Sequence, residues 1–363
     1  MFSEEKPKVL SLFSGCGGLD LGFHDMGYET LWANDFSPWA CKSFEGHFGE
    51  GIMHEGDIEA IDPYTDRTIP ECDIILGGFP CQDFSMIWKQ PGLNGERGNL
   101  YKSFLRFIDA KKPQVFVAEN VKGLLSANNK KAIQQIIEDF ENIEPGYVVK
   151  AKLYNFANYG VPQFRERVLI VGVRVDTGFQ FEHPKPTHGP KGSKPYVSAG
   201  EALEGVESVK FNNELLNINK KTEQMLQMIS EGGNFKDIPV DHPLYVRGMI
   251  SHVYRRIKLD EPAKTIISAG GGGTWGYHYP DPRALTNRER ARLQTFPDNF
   301  KFEGSTTEVR RQIGNAVPRV GVHELAKTLL PLFQDEFEKS DLWEVRKQII
   351  AMPFKQRLSL ITA

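Results

Sequence analysis

The chain is poor in the features that mark several whole classes of protein. No apolar stretch approaches the roughly 18 residues that a membrane-spanning helix needs, so no membrane role is expected. Only four cysteines occur in 363 residues (Cys16, Cys41, Cys72, Cys81), with no Cys-x-x-Cys pair and no His/Cys spacing suited to zinc. That count excludes a disulfide scaffold, leaves no expectation of a metal, and points to a reducing cytoplasm with Cys81 free. The polar start Ser3-Glu4-Glu5-Lys6 runs directly into an apolar strand and does not read as a signal peptide. Internal repeats are missing as well.

What is present is a soluble globular composition, 40% hydrophobic and 25% charged, long enough for a full α/β domain plus a smaller one. The net charge of −3 argues at first against a nucleic-acid partner. Its distribution argues the other way. From Arg247 to Arg319 there are 13 lysines and arginines against 7 acids, so this segment carries +6 and the remainder −9. Such asymmetry suits a protein that meets a polyanion with one face, although a solvated surface of mixed charge has the same signature.

Strands are expected at Lys8–Phe13, Tyr28–Ala33, Cys72–Leu76, Gln114–Val117, Tyr147–Tyr154 and Val168–Val173, with helices between them near Leu100–Ala110 and Lys130–Phe140. In the second helix Ile133, Ile136, Ile137 and Phe140 recur at helical spacing. Alternating strands and helices imply a doubly wound, mostly parallel sheet covered on both faces. The Pro/Gly-rich run His183–Pro190 reads as a boundary, and periodicity is weak from there until Thr286–Leu293. Val322, Leu325, Ala326, Leu329, Leu330 and Phe333 form one more helical stripe, and the charged tail is expected to hold a single helix. The resulting division is 1–183, 184–283, a return segment 284–333 and a tail 334–363.

The densest chemistry lies at Gly77-Gly78-Phe79-Pro80-Cys81-Gln82, just past the strand Cys72–Leu76. In open α/β sheets the carboxyl ends of strands are where ligands bind. A cysteine there is either a small buried hydrophobe or a nucleophile. Ala118-Glu119-Asn120-Val121 follows another apolar strand and brings a carboxylic acid to the same kind of position. A thiol and an acid converging on one cleft support covalent catalysis with proton delivery.

A cofactor pocket is also legible. Phe13-Ser14-Gly15-Cys16-Gly17-Gly18 joins the first strand to the first helix, where glycines admit a ligand close to the backbone. The dinucleotide fingerprint would require glycine at position 20, and Asp20 stands there, which disfavours nicotinamide or flavin. Asp35 ends the second strand, where an acid can take both ribose hydroxyls. Asp57 in Glu55-Gly56-Asp57-Ile58 can accept from an adenine amino group, and each acid alone also suits a cap or a turn. Together they outline an adenosine pocket without a phosphate site, which fits S-adenosylmethionine.

In order and rough spacing the chain resembles the DNA (cytosine-5)-methyltransferases of bacterial restriction–modification systems. The residues that carry this are Leu12–Gly18, Gly78–Gln82, Glu119–Val121, Gln163–Val168, Arg288–Gln294 and Gln312–Pro318, spread over about Lys8–Leu330 apart from a variable region near Pro184–Ser251. The resemblance implies a large S-adenosylmethionine-dependent catalytic domain, a small target-recognition domain at 184–283, and a last motif and helix returning to the large domain.

By that resemblance Cys81 is the nucleophile that adds to cytosine C6, and Glu119 contacts N3 and the exocyclic amine and supplies a proton. Asn120 holds Glu119 and the neighbouring backbone, Arg167 binds O2, and Arg165 orients nearby groups. The implied cofactor contacts are Phe13, Gly15, Gly17, Gly18, Asp35, Phe36, Asp57, Ile58, Gly78, Pro80, Leu100, Asn315 and Ala316. S-adenosylhomocysteine is then the product. Chemistry on C5 requires the base outside the duplex, so base flipping follows. Ser85–Asn99 corresponds to the loop over the flipped cytosine. In and beside it Gln82, Ser85, Ile87, Trp88 and Arg97 are candidate DNA contacts, with Ile87 or Trp88 filling the vacated gap, and Thr265 matches a backbone contact at the flipped nucleotide.

Target choice calls for side chains at base edges, most often arginine on guanine. Arg247, Arg255 and Arg256 are the candidates, with Tyr254, Trp275, Tyr277 and His278 nearby, while Arg288, Arg290 and Arg292 resemble scaffold residues. Three other readings stand beside this one: an RNA cytosine-5 methyltransferase on the same scaffold, a DNA-binding autoregulator without methylation, and, more distantly, a dinucleotide oxidoreductase. The expected partners are double-stranded DNA and, functionally, a restriction endonuclease, and the expected form is a monomer associated with the nucleoid.

Overall fold

Strands that carry apolar residues at both parities must be buried on both faces. In the computed structural model, which describes residues 5–80, 100–248, 253–268, 272–274 and 276–362, that pattern builds a seven-stranded sheet. Its members are β1 (Lys8–Leu12), β2 (Glu29–Asp35), β3 (Met53–Glu55), β4 (Ile74–Gly77), β5 (Val115–Val121) and β6 (Tyr147–Asn155), followed after the short β7 (Gln163–Phe164) by β8 (Glu166–Arg174). The order is β3-β2-β1-β4-β5-β8-β6, with β8 antiparallel to both neighbours and every other pairing parallel. The winding reverses between β1 and β4, so the carboxyl ends of these two strands flank the crevice where such sheets take ligands.

Parity then sorts the core into two layers. Leu10, Ile75, Phe116 and Ile170 face one side and Val9, Ile74, Val117 and Val171 the other, all fully buried. Each such side chain contributes about 1.5–3 kcal/mol. The first eight helices are α1 (Gly18–His24), α2 (Pro38–Phe48), α3 (Leu100–Lys111), α4 (Lys131–Glu141), α5 (Ala199–Leu203), α6 (Lys220–Gln227), α7 (Asn287–Leu293) and α8 (Thr306–Asn315); α9 (His323–Phe333), α10 (Leu342–Ala351) and α11 (Phe354–Thr362) complete the series. Helices α3 and α4 cover the first layer, the latter through Ile133, Ile136, Ile137 and Phe140. Helices α1 and α9 cover the second with Leu19, Phe23, Leu325 and Leu329.

Helix α2 and strand β3 were not expected from the sequence, and two expected elements differ in extent. The apolar pattern ends the fifth strand at Val117, but β5 runs on to Val121 because β8 pairs with it residue by residue, Glu119 opposite Leu169 and Val121 opposite Arg167. Glu119 therefore sits inside a strand. The tail holds two helices and not one. Met352 is extended (φ −69°, ψ 136°) as the residue before Pro353 must be, which separates α10 from α11. Leu342 joins the second apolar layer and Ile361 the first, so the tail reaches both faces of the sheet past its β6 edge.

Residues 184–283 contain little regular structure: α5, α6, a few short 3₁₀ turns and β9 (Ala263–Lys264), which pairs in parallel with β7. Side-chain bonds to backbone stand in for ladders here. Arg256 is the clearest case, donating to the carbonyls of Leu226, Ile229, His278, Pro280 and Asp281.

Candidate active site

The site forms at the switch point. Past β1 the chain turns at Phe13, whose φ of 53° is unusual for a residue with a side chain. The Gly15 amide donates to Asp35 Oδ2 at 2.8 Å, and the Ser37 amide donates to Oδ1 at 2.9 Å. The end of β2 thus clamps the glycine turn. Burial lifts the Asp35 carboxyl above its ordinary value, against the pull of these amides. The glycines differ in purpose. Gly15 (φ +55°) fronts open space, whereas a Cβ on Gly18 would lie 2.5 Å from the Val317 carbonyl. Gly18 therefore allows the return segment to pack against the turn.

Past β4, Gly78 leaves room for the Glu119 carboxyl, since a Cβ there would come 3.1 Å from Oε2. Asn120 Nδ2 donates to the Phe79 carbonyl at 2.9 Å, and its Oδ1 accepts from the Val121 amide at 2.9 Å. One side chain thus ties the end of β5 to the segment that leads into Cys81. Glu119 itself is 9% exposed. Arg167 Nε approaches its Oε1 to 2.8 Å, without an N–H aligned on that oxygen, which is left lacking a hydrogen bond. Burial raises the Glu119 carboxyl, and the charges of Arg167 and Arg165 oppose the rise. A buried acid with an unfilled acceptor beside a cation is suited to exchange a proton with a ligand.

Arg165 is a hub. It is 1% exposed and donates from Nη1 to the Ile266 carbonyl at 3.1 Å and from Nη2 to the Gly314 carbonyl at 2.8 Å. Desolvation and neighbouring Arg167 pull its guanidinium down to about 9, so it stays charged at neutral pH. It joins β8 to residues 263–268 and to the end of α8. Gly314 is required there, because a Cβ would fall 2.3 Å from the Ser268 nitrogen. Thr265 is exposed and donates to the Phe164 carbonyl at 2.7 Å.

These elements enclose a cavity of about 670 Å³, within the range of cofactor and ligand sites. Its walls include Phe13, Gly15, Gly18, Asp35, Phe36, Gly78, Pro80, Asn315 and Ala316 from the residues expected at a cofactor, together with Glu119, Asn120, Arg165, Arg167 and Thr265. Four residues expected at the cofactor stand elsewhere among the described positions. Gly17 (φ +86°) caps α1 and faces Phe44 and Phe48. Asp57 is exposed and caps a 3₁₀ turn, accepting from the Glu59 amide at 3.0 Å. Ile58 is 3% exposed in the apolar core, and Leu100 packs against that core at the start of α3. Cys81, Gln82, Ser85, Ile87, Trp88 and Arg97 lie outside the described residues.

The candidates for base reading divide. Arg247 is exposed, and Arg255 is half-buried with Nη1 3.5 Å from the Gly232 carbonyl. Arg256 must be withdrawn as a DNA contact, since it is 5% exposed and its guanidinium is consumed by backbone carbonyls. Arg288, Arg290 and Arg310 are buried too. Four of the 13 basic residues counted between Arg247 and Arg319 therefore contribute no open positive surface. Trp39, Ile266–Ser268, Glu308 and Arg311 line the cavity without having been marked in the sequence. Trp39 lies in the first turn of α2, three residues after Phe36.

Among the described residues, no group of three or more histidines, cysteines and acids is placed to hold a metal, and no helix is long and apolar enough to cross a membrane. The fold matches solved methyltransferases: S. pombe Dnmt2 superposes with a TM-score of 0.60 at 17% identity, covering 90% of this chain and 99% of that one. Among curated proteins, the chain is 70% identical over 362 residues to Type II methyltransferase M.NgoFVII of Neisseria gonorrhoeae, covering 99% of this chain and 96% of the relative. It is 40% identical over 345 residues to Type II methyltransferase M.BbvI of Brevibacillus brevis, covering 89% and 90%. With residues 7–330 matching the family model described as C-5 cytosine-specific DNA methylase, the chain belongs to that family of DNA-methylating enzymes.

Proposed function

We propose that this enzyme methylates C5 of a cytosine within a short, specific sequence of double-stranded DNA, using S-adenosylmethionine, as the modification partner of a restriction endonuclease. The observation that carries the reading is the buried Glu119 carboxyl, raised by desolvation, 2.8 Å from Arg167 and open to the same cavity as the Phe13–Gly18 turn. The cavity fits the cofactor. Gly15 presents backbone to open space, Asp35 retains unused lone pairs, and Phe36, 77% exposed, offers a ring for an adenine face. When bound, S-adenosylmethionine supplies an electrophilic methyl group. Phe13, Gly15, Asp35, Phe36 and Asn315 are the residues that would hold it.

The chain's own groups do the rest. Neutral cytosine C5 is a poor nucleophile. The Cys81 thiolate forms a bond to C6 while Glu119 gives its proton to N3, and C5 becomes enamine-like. Arg167 holds O2, and Asn120 keeps the Cys81-bearing segment and Glu119 in register. Once C5 carries the methyl group, a base removes the C5 proton, the C6–Sγ bond breaks to restore the thiolate, and N3 returns its proton to Glu119. Such a sequence requires a flipped base, with residues 184–283 reading the duplex and 81–99 meeting the opened site.

Bisulfite sequencing tests this. Mixed-sequence duplex DNA is incubated with S-adenosylmethionine and wild type, Cys81→Ala or Glu119→Gln. Protection of one recurrent short site by wild type, absent with Cys81→Ala and strongly slowed with Glu119→Gln, is the expected result. No protection of DNA, with modification of tRNA in a parallel arm, would replace the proposal with the RNA enzyme. A wild type that binds duplex without modifying either nucleic acid would replace it with the regulator.

A further inference from the structure

Beneath the glycine turn lies a carboxyl group that the chemistry above leaves unused. Asp20 is 1% exposed, and its oxygens accept only from Ser11 Oγ at 3.0 Å and Thr30 Oγ1 at 3.3 Å among side chains. Both partners are neutral, and among the described residues Asp20 forms no ion pair. Buried acids are rarely left in this state, because removing a carboxylate from water without a counter-ion is costly. Burial lifts the Asp20 carboxyl to about 6, so it is still ionised at neutral pH. Asp20 and Ser11 also form part of the wall of the large cavity, on the side of Phe13 and Gly15. The neighbouring acid, Asp35, is held by the backbone amides of Gly15 and Ser37, whereas Asp20, in the first turn of α1, adds only its own backbone amide to the two hydroxyls.

We propose that Asp20 is the counter-charge for the sulfonium centre of the bound cofactor and makes the cavity prefer S-adenosylmethionine to S-adenosylhomocysteine. This rests on the cavity being the cofactor site. The two ligands share their adenosine and amino-acid ends and differ by one methyl group and the positive charge of the sulfonium. The adenosine contacts proposed for Asp35 and Phe36 are made equally by both ligands. A fixed anion in a water-poor wall senses it over several ångströms. Product release is favoured by the same device, since the charge that Asp20 matches disappears with the methyl group.

Isothermal titration of the full chain, without DNA, measures both ligands against wild type and Asp20→Asn. Asparagine keeps the size and can still accept from Ser11 or Thr30. The expected result is a loss of about tenfold or more in S-adenosylmethionine affinity, with S-adenosylhomocysteine changed by less than about threefold. Equal losses for both ligands, or no loss for either, would overturn the proposal. Wild type that binds S-adenosylhomocysteine keeps the site reading intact whatever Asp20 does; wild type that binds neither ligand removes both.

If Asp20→Asn does not fold, wild type titrated between pH 5 and 7 decides. The titratable groups around Asp20 are Cys16, whose thiol burial pushes far up, and Asp35; Asp25, Arg319 and His323 cluster at the far end of α1. Protonation of Asp20 narrows the preference between the ligands as pH falls through about 6. Protonation of Asp35 shifts both ligands together. A preference constant over that range would overturn the proposal.

Discussion

In the seven-stranded sheet, position follows from parity: Val9 and Leu10 are adjacent in sequence, fully buried, and belong to opposite layers. Between residues 184 and 283 no such rule operates. There Arg256 gathers five backbone carbonyls from two separate stretches of chain, and nearby Arg288 gathers those of Phe211, Pro297 and Phe300. The sheet tolerates exchange of one apolar residue for another of similar volume. The irregular segment depends on single planar cations with fixed donor geometry, and even lysine does not replace arginine in such a role. Under the proposed function, chemistry belongs to the first region and duplex reading to the second, so the contrast separates what does the reaction from what selects its place.

The widest separation is in rate. Glu119→Gln is expected to slow single-turnover methylation by about 10²–10⁴-fold while leaving duplex affinity and the urea midpoint close to wild type. A fall in duplex affinity of similar size would erase the division of labour. Next in size are two stability losses. Ile170→Ala should cost about 2–5 kcal/mol, read as a shifted urea midpoint with site preference intact. Arg256→Ala should cost about 3 kcal/mol through orphaned carbonyls and should also blur discrimination between cognate and altered duplexes in competition binding. Equal preservation of discrimination in both variants would show that the irregular segment does not set it.

A smaller effect concerns the body's own cost of carrying its site. The folded Asp20 carboxyl, at about 6, is raised above the unfolded value of about 3.9. Ionisation therefore penalises the folded state only above the unfolded value, and fully only above the folded one. Ligand-free Asp20→Asn should be more stable than wild type by about 2–3 kcal/mol at pH 7.5, with the gain vanishing near pH 4. Thermal melts across that range read it directly. Smallest is Arg247→Ala. At an exposed position it should leave stability within about 0.5 kcal/mol, weaken duplex binding across sequences, and lower the salt slope by about one if it meets a phosphate.

The glycine turn, the strand ends and the helical stripe of α4 were legible because each is a local consequence of residue order. Backbone freedom at Gly15, burial at Ile75 and spacing at Ile133 need no knowledge of distant chain. The extension of β5 through Glu119 was not, since polar Glu-Asn has no strand pattern of its own and only pairing with β8 imposes it. Arg256 misled for a related reason: formal charge does not distinguish a guanidinium facing solvent from one enclosed by carbonyls. The cavity wall at Trp39 and Arg311 was hidden because α2 and α8 are brought together from positions far apart in sequence. The site was readable as an ordered set of motifs, while its closure by Arg165 was a matter of tertiary geometry.

The two helices of the tail have a consequence for how the molecule comes into being. Glu141, buried at the end of α4, is met by Arg357 from α11, and the Glu141 carbonyl is met by Arg346 from α10. Leu342 and Ile361 complete opposite faces of the sheet. Neither face is therefore finished until residues 342–362 have left the ribosome. A nascent chain can carry every residue of the candidate site and still lack the edge closure at β6. Maturation of both layers is timed by the synthesis of residues 342–362, and a substitution that breaks their docking would act on assembly before it could act on catalysis.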